Sequence, residues 1–156
     1  MTATEAFEFR RAGPADAADV RAMSREAYAK WIPVVGREPL PMRADYALAV
    51  VEHEVDLLLA DGVVVGLIEM MARDDHVWIE NVAVVPARQG EGFGRRLMAR
   101  AEAVAVARGL GCIRLLTNGS FASNVVLYKR LGYRVDREEP FAQGGTTVYM
   151  SKAIEE

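Results

Sequence analysis

Apolar and polar positions follow two different periods along the first third of the chain. Residues 7–11 alternate as a short strand, and residues 17–31 have the spacing of a helix. The segment 32–42 holds three of the six prolines and predicts an irregular loop. A second short helix is predicted around residues 44–53.

The middle of the chain changes to the period of strands. Residues 55–60 and 63–71 are rich in β-branched and apolar side chains, and Asp61 and Gly62 separate them. An Asp-Gly pair between two such runs is typical of a hairpin. A third strand is predicted at residues 76–85, so the three form an antiparallel meander.

The last part returns to mixed elements. Residues 95–108 predict a helix with one apolar stripe, which Gly109 and Gly111 end. A buried strand at 113–117, a helix at 123–131 and strands near 133–136 and 146–152 follow. This order predicts an α+β fold with a mixed, mostly antiparallel central sheet and helices on both faces. The length of 156 residues predicts one domain, residues 1–156.

Charge and composition narrow the class of protein. The formal net charge of -3 and the pI near 5.5 argue against a nucleic-acid partner. No apolar run approaches the ~20 residues of a membrane span, and no signal peptide is apparent, so we expect a cytoplasmic protein. The two histidines and the single Cys112 are too scattered for a zinc site, and no metal is predicted.

One segment, residues 82–97, has the pattern of a phosphate-binding site. It joins a strand to a helix through Gly90, Gly92 and Gly94. Such glycines permit close backbone approach, and the unpaired amides of a helix start attract anions. Arg88, Arg95 and Arg96 add positive charge. Neither a P-loop nor a dinucleotide fingerprint is present, and an ordinary turn is the alternative.

Two blocks in this half of the chain resemble a known family. The first is Gln89-x-x-Gly92-x-Gly94 after a strand ending in Val84-Val85-Pro86. The second runs from Asn124 through Tyr128 to Gly132-Tyr133. Both are similar in sequence and separation to motifs of the GNAT superfamily of N-acyltransferases. The resemblance implies the family fold over nearly the whole chain, acetyl-CoA as co-substrate, and a possible homodimer.

The same resemblance implies a cofactor site. The backbone of Val82, Ala83 and Val84 would pair with the pantetheine arm in an opening between two strands. Asn124 would contact the cofactor, and Tyr128 would lie near the thioester sulfur and protonate the departing thiolate. The alternative for Tyr128 is a packed aromatic. The pyrophosphate would be held by the amides of the loop and helix start: Gln89, Gly90, Glu91, Gly92, Phe93, Gly94 and Arg95.

A second catalytic group is expected because an amine acceptor is mostly protonated near neutral pH. The family does not fix this base at one position. Strand alternation places Glu80 on one face with His76, Trp78, Val82 and Val84. A carboxylate among apolar neighbours would have a raised pKa suited to a base. Glu80 is therefore the predicted base, and a solvated or paired carboxylate is the alternative.

The resemblance also implies an acceptor site in the irregular first third of the chain, because in the family the loop between the first two helices commonly lines the acceptor pocket. Tyr28, Trp31, Met42 and Tyr46 would form an apolar wall, with core packing as the alternative. The segment 138–141 could add negative charge for an ammonium group, but a solvated loop is the favoured interpretation.

Three alternative functions follow, of which the first is the predicted one. The first is acetyl transfer to the primary amine of a small molecule by direct attack. The second is acetylation of a protein N-terminus or lysine. The third is a non-catalytic acyl-CoA sensor.

Overall fold

The computed structural model describes residues 4–141 and 144–154. In these residues a seven-stranded sheet has the order β1-β2-β3-β4-β5-β7-β6. The strands are β1 Phe7–Arg11, β2 Glu54–Ala60, β3 Val63–Ala72, β4 Val77–Val84, β5 Cys112–Asn118, β6 Arg134–Pro140 and β7 Thr146–Ala153. The helices are α1 Ala17–Tyr28, α2 Ile32–Val35, α3 Tyr46–Glu52, α4 Phe93–Ala107 and α5 Ala122–Arg130. All neighbouring strands are antiparallel except β4 and β5, which confirms the predicted mixed sheet.

Helices cover both faces of this sheet, as predicted. On one face the apolar stripe of α4, with Leu97, Met98 and Ala101, packs in a core that also holds Tyr128 of α5. On the other face Val20 of α1 packs in a second core with residues of α3 and β2. The two cores separate the sheet residues by face, because successive strand side chains point to opposite sides.

The predicted hairpin between β2 and β3 is confirmed. Ala60 pairs with Val63, and the two turn residues Asp61 and Gly62 have φ of 49° and 80°. Positive φ at both positions is the type I′ geometry that matches the twist of the flanking strands.

A bulge in β4 opens the sheet. Met70 of β3 pairs with Ile79 and Glu69 pairs with Asn81, so Glu80 has no partner in the register. Such a bulge bends its strand and sharpens the twist. Consistent with this, β4 pairs with β5 only over Val77–Ile79, and the ends of the two strands diverge. The result is an opening between residues 80–84 of β4 and the end of β5.

Several predicted boundaries were wrong. Helix α4 begins at Phe93 rather than 95, because Gly92 can adopt the left-handed conformation that precedes it. Residues 138–140 belong to β6 rather than to a loop, and Pro140 is accommodated because β6 is an edge strand. The segment 32–42 contains helix α2 and a 3₁₀ turn, Leu40–Met42. Within the described ranges, no helix has the length and apolar character needed to cross a membrane.

Candidate active site

Two cavities meet at the opening between β4 and β5. One, the glycine-loop cavity, has a volume of about 590 Å³ and is bordered by the loop and helix start from Arg88 to Arg95. The other, the α3 cavity, has a volume of about 440 Å³ and is bordered by α3 and the strands beneath it. Four residues line both cavities: Tyr28, Val82, Asn124 and Tyr128. A molecule in one cavity can therefore contact a molecule in the other at these four side chains.

The glycine-loop cavity has the backbone of an anion site. Gly90 and Gly92 have φ of 83° and 86°, and Gly92 is the N-cap of α4. The first amides of a helix lack partners within it and carry the positive end of its dipole. The expected sequence pattern is thus realised at the start of α4. Glu91, although in the same loop, turns its carboxylate to Arg88 and is not among the described residues that line this cavity.

The positive charge of this cavity differs from the prediction. Arg95 lines it, but Arg88 is paired with Glu5 at 2.7 Å and with Glu91 at 3.0 Å. Arg96 lies over the ring of Phe7 instead, at 3.6 Å from the ring centroid.

Two further cations, Lys30 and Arg130, line the same cavity and were missed because they are distant in sequence. Within the part of the chain that the structure describes, no carboxylate pairs with Arg95 or Arg130. These two guanidinium groups are the ones available to an anionic ligand.

The backbone of β4 turns alternate residues toward the opening. The amide of Val85 donates to Val65 of β3 at 2.9 Å, so the backbone groups of Ala83 also face β3. The close approach of the Ala83 carbonyl oxygen to β3 agrees with this direction, because a Cβ added to Gly66 of β3 would lie 2.9 Å from that oxygen. The groups of Val82 and Val84 therefore face the opening, and the backbone pairing predicted for Ala83 is corrected.

Side chains from other elements already reach these strand carbonyls. The Tyr28 hydroxyl donates to the Val82 oxygen at 3.1 Å. Gln89 donates to the Val84 oxygen at 3.0 Å and accepts from Lys30 at 2.8 Å. The loop and α1 are thereby fixed against the edge of β4. Burial raises the pKa of Tyr28 well above its usual value, so this phenol stays a hydrogen-bond donor.

Helix α5 contributes Asn124 and Tyr128 to the meeting point. They are four residues apart and therefore share one face of the helix. The Tyr128 hydroxyl makes no hydrogen bond to any other described residue, while its ring is 8% exposed. Burial raises the pKa of Tyr128 to about 12, so the hydroxyl keeps its proton at physiological pH. A protonated hydroxyl that has no acceptor among the described residues and lies where the two cavities meet is suited to donate a proton there.

The environment expected for Glu80 was wrong. The bulge interrupts the alternation of side chains along β4. Val77 and Ile79 pack in the core on the α4 face of the sheet, whereas Ala83 packs in the core on the α1 face. Val82 and Val84 therefore lie on the α4 side, not on the side of Glu80. Glu80 lines the α3 cavity but is exposed, and it accepts a hydrogen bond from Trp78 Nε1 at 2.9 Å. His76 pairs with Asp75 at 2.6 Å and is not among the described residues lining either cavity.

The predicted apolar wall is divided among three places. Tyr28 lines both cavities and Tyr46 lines the α3 cavity, where its hydroxyl donates to Pro41 at 2.6 Å and accepts from Asn81 at 3.1 Å. Trp31 lies in the glycine-loop cavity and stacks on Phe121 with centroids 4.8 Å apart. Met42 is 4% exposed and is core, outside the described lining of both cavities, so its predicted role is corrected.

Sequence reasoning missed a hydrogen-bonded contact between a histidine and a buried glutamate in the wall of the α3 cavity. Glu69 of β3 is 3% exposed, and its Oε2 lies 2.6 Å from Nδ1 of His53. Both residues line the cavity. One signal was available, since Glu69 is the single charged residue in the apolar run 63–71. Among the described residues, no group of three or more His, Cys, Asp or Glu side chains is placed to hold a metal ion.

Comparison with known proteins agrees with this geometry. The family described as "Acetyltransferase (GNAT) domain" matches residues 45–135, which is more than half of the chain. This range includes β4, the glycine loop and both α4 and α5. Among curated proteins, none matches the sequence.

Solved structures share the fold at low sequence identity. PaiA N-acetyltransferase from Thermoplasma acidophilum, in complex with coenzyme A, is 17% identical with a TM-score of 0.82, covering 95% of this chain and 99% of that chain. The ribosomal-protein-S18-alanine N-acetyltransferase from Escherichia coli is 19% identical with a TM-score of 0.74, covering 97% and 96%. YncA from Salmonella typhimurium, with acetyl-CoA, is 22% identical with a TM-score of 0.72, covering 97% and 95%.

Proposed function

Because the chain belongs to the GNAT acetyltransferase family and uses acetyl-CoA as co-substrate, we propose that it acetylates the primary amine of a small molecule. The amine attacks the thioester directly in a ternary complex. The observation that carries this proposal is the meeting of two cavities at Tyr28, Val82, Asn124 and Tyr128. Because each reactant has its own cavity, no covalent carrier on the protein is needed.

The residues of the glycine-loop cavity fit coenzyme A. The amides from Gly90 to Arg95 and the guanidinium groups of Arg95 and Arg130 suit its phosphates. The outward backbone groups of Val82 and Val84 suit the amides of the pantetheine arm. Bound acetyl-CoA supplies the acetyl group as a thioester.

Tyr128 is the proposed general acid. Its hydroxyl lies where the two cavities meet and retains its proton, since burial raises its pKa to about 12. It donates that proton to the departing thiolate, and the nitrogen of the product, which loses a proton on acylation, supplies the replacement. Asn124, on the same face of α5, is proposed as a cofactor contact.

The α3 cavity suits a cationic amine with an apolar body. Its volume of about 440 Å³ lies in the range of small-molecule sites. Three carboxylates, Asp45, Glu69 and Glu80, line it together with one guanidinium, Arg37, and the lining side chains Leu40 and Leu48 are 59% and 50% exposed. Carboxylates favour an ammonium group, and apolar side chains at the wall favour a hydrocarbon portion.

The test is release of free thiol from acetyl-CoA in the presence of a panel of small amines, amino acids and peptides. Release that depends on a small amine supports the proposal. Release only with peptides would assign the protein or peptide class instead. Binding of acetyl-CoA in calorimetry, with no release for any acceptor, would point to the sensor function.

A further inference from the structure

A buried carboxylate and a histidine form a pair in the wall of the α3 cavity. His53 directly follows α3, and Glu69 lies in the middle of β3. The Glu69 side chain is 4% exposed and that of His53 is 27% exposed, so the imidazole is the more accessible member. Their contact, 2.6 Å between Nδ1 and Oε2, joins two elements that are distant in sequence.

The geometry of this contact orients the imidazole. An ionised carboxylate can only accept a hydrogen bond, so a neutral imidazole paired with ionised Glu69 carries its proton on Nδ1 and a lone pair on Nε2. The same carboxylate stabilises an imidazolium if Nε2 takes up a proton. Burial raises the pKa of Glu69, and the hydrogen bond from His53 opposes that rise. The arrangement is that of a base with its orienting partner.

Glu69 lies one strand away from the point where the two cavities meet. Glu69 is the cross-strand partner of Asn81, and Asn81 precedes Val82, which lines both cavities. Cross-strand neighbours are separated by about 5 Å, so Glu69 is beside the junction.

The other acidic groups of the cavity are less suited to proton transfer. Asp45 caps α3 by accepting from the Leu48 amide at 3.1 Å. Glu80 is exposed and holds Trp78. Among the described residues, the titratable groups that face the pair are Glu80 of β4, Tyr46 of α3 and Tyr28 of α1. Burial raises the pKa of Tyr46 to about 12 and that of Tyr28 well above its usual value, so both phenols stay neutral. Glu54, next to His53, is paired with Arg108.

We propose that His53 is the base that deprotonates the acceptor's ammonium group, and that Glu69 positions it. This inference rests on the proposed function. Nε2 takes one proton from R-NH₃⁺, which leaves a neutral amine and an imidazolium hydrogen-bonded to Glu69. The imidazolium returns its proton to solvent after the product leaves. Glu80 is then not required as the base.

The test uses two acceptors of nearly equal size: an alkylamine found active in the panel, and its β,β-difluoro analogue. The ammonium group of the analogue is far more acidic, so a large fraction of it is already neutral near neutral pH. The variant His53→Asn keeps an amide donor toward Glu69 but removes the base. We expect kcat/KM for the alkylamine to fall about 100-fold and to recover as pH rises toward the ammonium pKa, about 10. For the analogue, kcat/KM should change little.

Equal losses for both acceptors would indicate a structural role for His53 and overturn the inference, as would no loss for either. If the wild-type protein acetylates no amine at all, the proposed function itself fails.

Glu69→Gln tests the positioning role. Its amide oxygen still accepts from Nδ1, but without the negative charge the imidazolium is less stable. The acidic limb of kcat/KM against pH should therefore move to lower pH. An unchanged limb would remove Glu69 from the inference.

Discussion

The indole nitrogen of Trp78 donates a hydrogen bond to Oε2 of Glu80 across 2.9 Å. Trp78 precedes the β4 bulge and Glu80 is its unpaired residue, so this hydrogen bond links two side chains at the irregular part of the strand. The carboxylate is thereby held at the exposed side of the α3 cavity. The geometry gives Glu80 a role in holding Trp78 at the bulge.

We expect Glu80→Gln to keep kcat/KM within about threefold of wild type for both acceptors, because the amide oxygen still accepts from Trp78 and an exposed charge contributes little. Steady-state kinetics across pH measure this. A loss of about 100-fold together with loss of the acidic limb would instead identify Glu80 as the base.

Tyr128→Phe should lower kcat about 100-fold with little change in the KM for acetyl-CoA, because only the proton donor is removed. Tyr133→Phe is the matched control. The Tyr133 ring is 6.0 Å from that of Tyr128, but Tyr133 is not among the described residues that line either cavity. Its hydroxyl is buried without a partner in the described part of the chain, so its loss should leave activity unchanged. Similar kinetics for the two variants would exclude Tyr128 as the acid.

Tyr128 should also make stability depend on alkaline pH. Burial raises its pKa to about 12, whereas an unfolded tyrosine titrates near about 10. Below the lower value both states hold the proton. Between the two values the unfolded state loses this proton while the folded state keeps it, which favours unfolding. The free energy of unfolding therefore falls as pH rises, by up to about 3 kcal/mol at about pH 12. The difference in unfolding free energy between wild type and Tyr128→Phe, measured by denaturant titration, should shrink accordingly. A difference independent of pH would contradict this.

Arg95 and Arg96 are neighbours in sequence with different surroundings. Arg95 lines the glycine-loop cavity, and Arg96 lies over Phe7. Arg95→Ala should weaken coenzyme A binding about tenfold, since a hydrogen bond to a charged group contributes about 1.5–3 kcal/mol. Arg96→Ala should leave the Kd unchanged. Calorimetry at low and high salt measures both, and the effect of Arg95→Ala should be smaller at high salt. Equal effects of the two substitutions would argue against a phosphate contact by Arg95.

Gly66 permits the close approach of β3 to β4 beside the opening. A Cβ at this position would lie 2.9 Å from the Ala83 carbonyl oxygen and 3.1 Å from Cδ1 of Leu97. Gly66→Ala should therefore destabilise the fold by about 1–3 kcal/mol. Gly111→Ala is the control, because a Cβ there meets nothing within 4 Å. Urea denaturation midpoints test the pair, and equal midpoints would show that the strands can separate without cost.

The local sequence pattern was sufficient to predict most helices and strands and to identify the family. The Asp61-Gly62 turn, the glycine loop and the apolar stripe of α4 each depend on residues close in sequence, and the structure confirms all three. The same holds for Asn124 and Tyr128, whose spacing alone puts them on one face of α5. These features follow from backbone geometry that a few neighbouring residues determine.

Tertiary structure alone decided which residues form the wall of the α3 cavity. The β4 bulge moved Val82 and Val84 away from the side of Glu80, and strict alternation cannot reveal an unpaired residue. The contact of His53 with Glu69 depends on how α3 ends above β3, and the positions of Lys30 and Arg130 depend on α1 and α5 converging at the glycine loop. The sequence determined which chemical groups are present and the local geometry of the glycine loop. Packing between distant elements determined which of those groups face each other, because such contacts depend on sheet twist and helix placement rather than on sequence spacing.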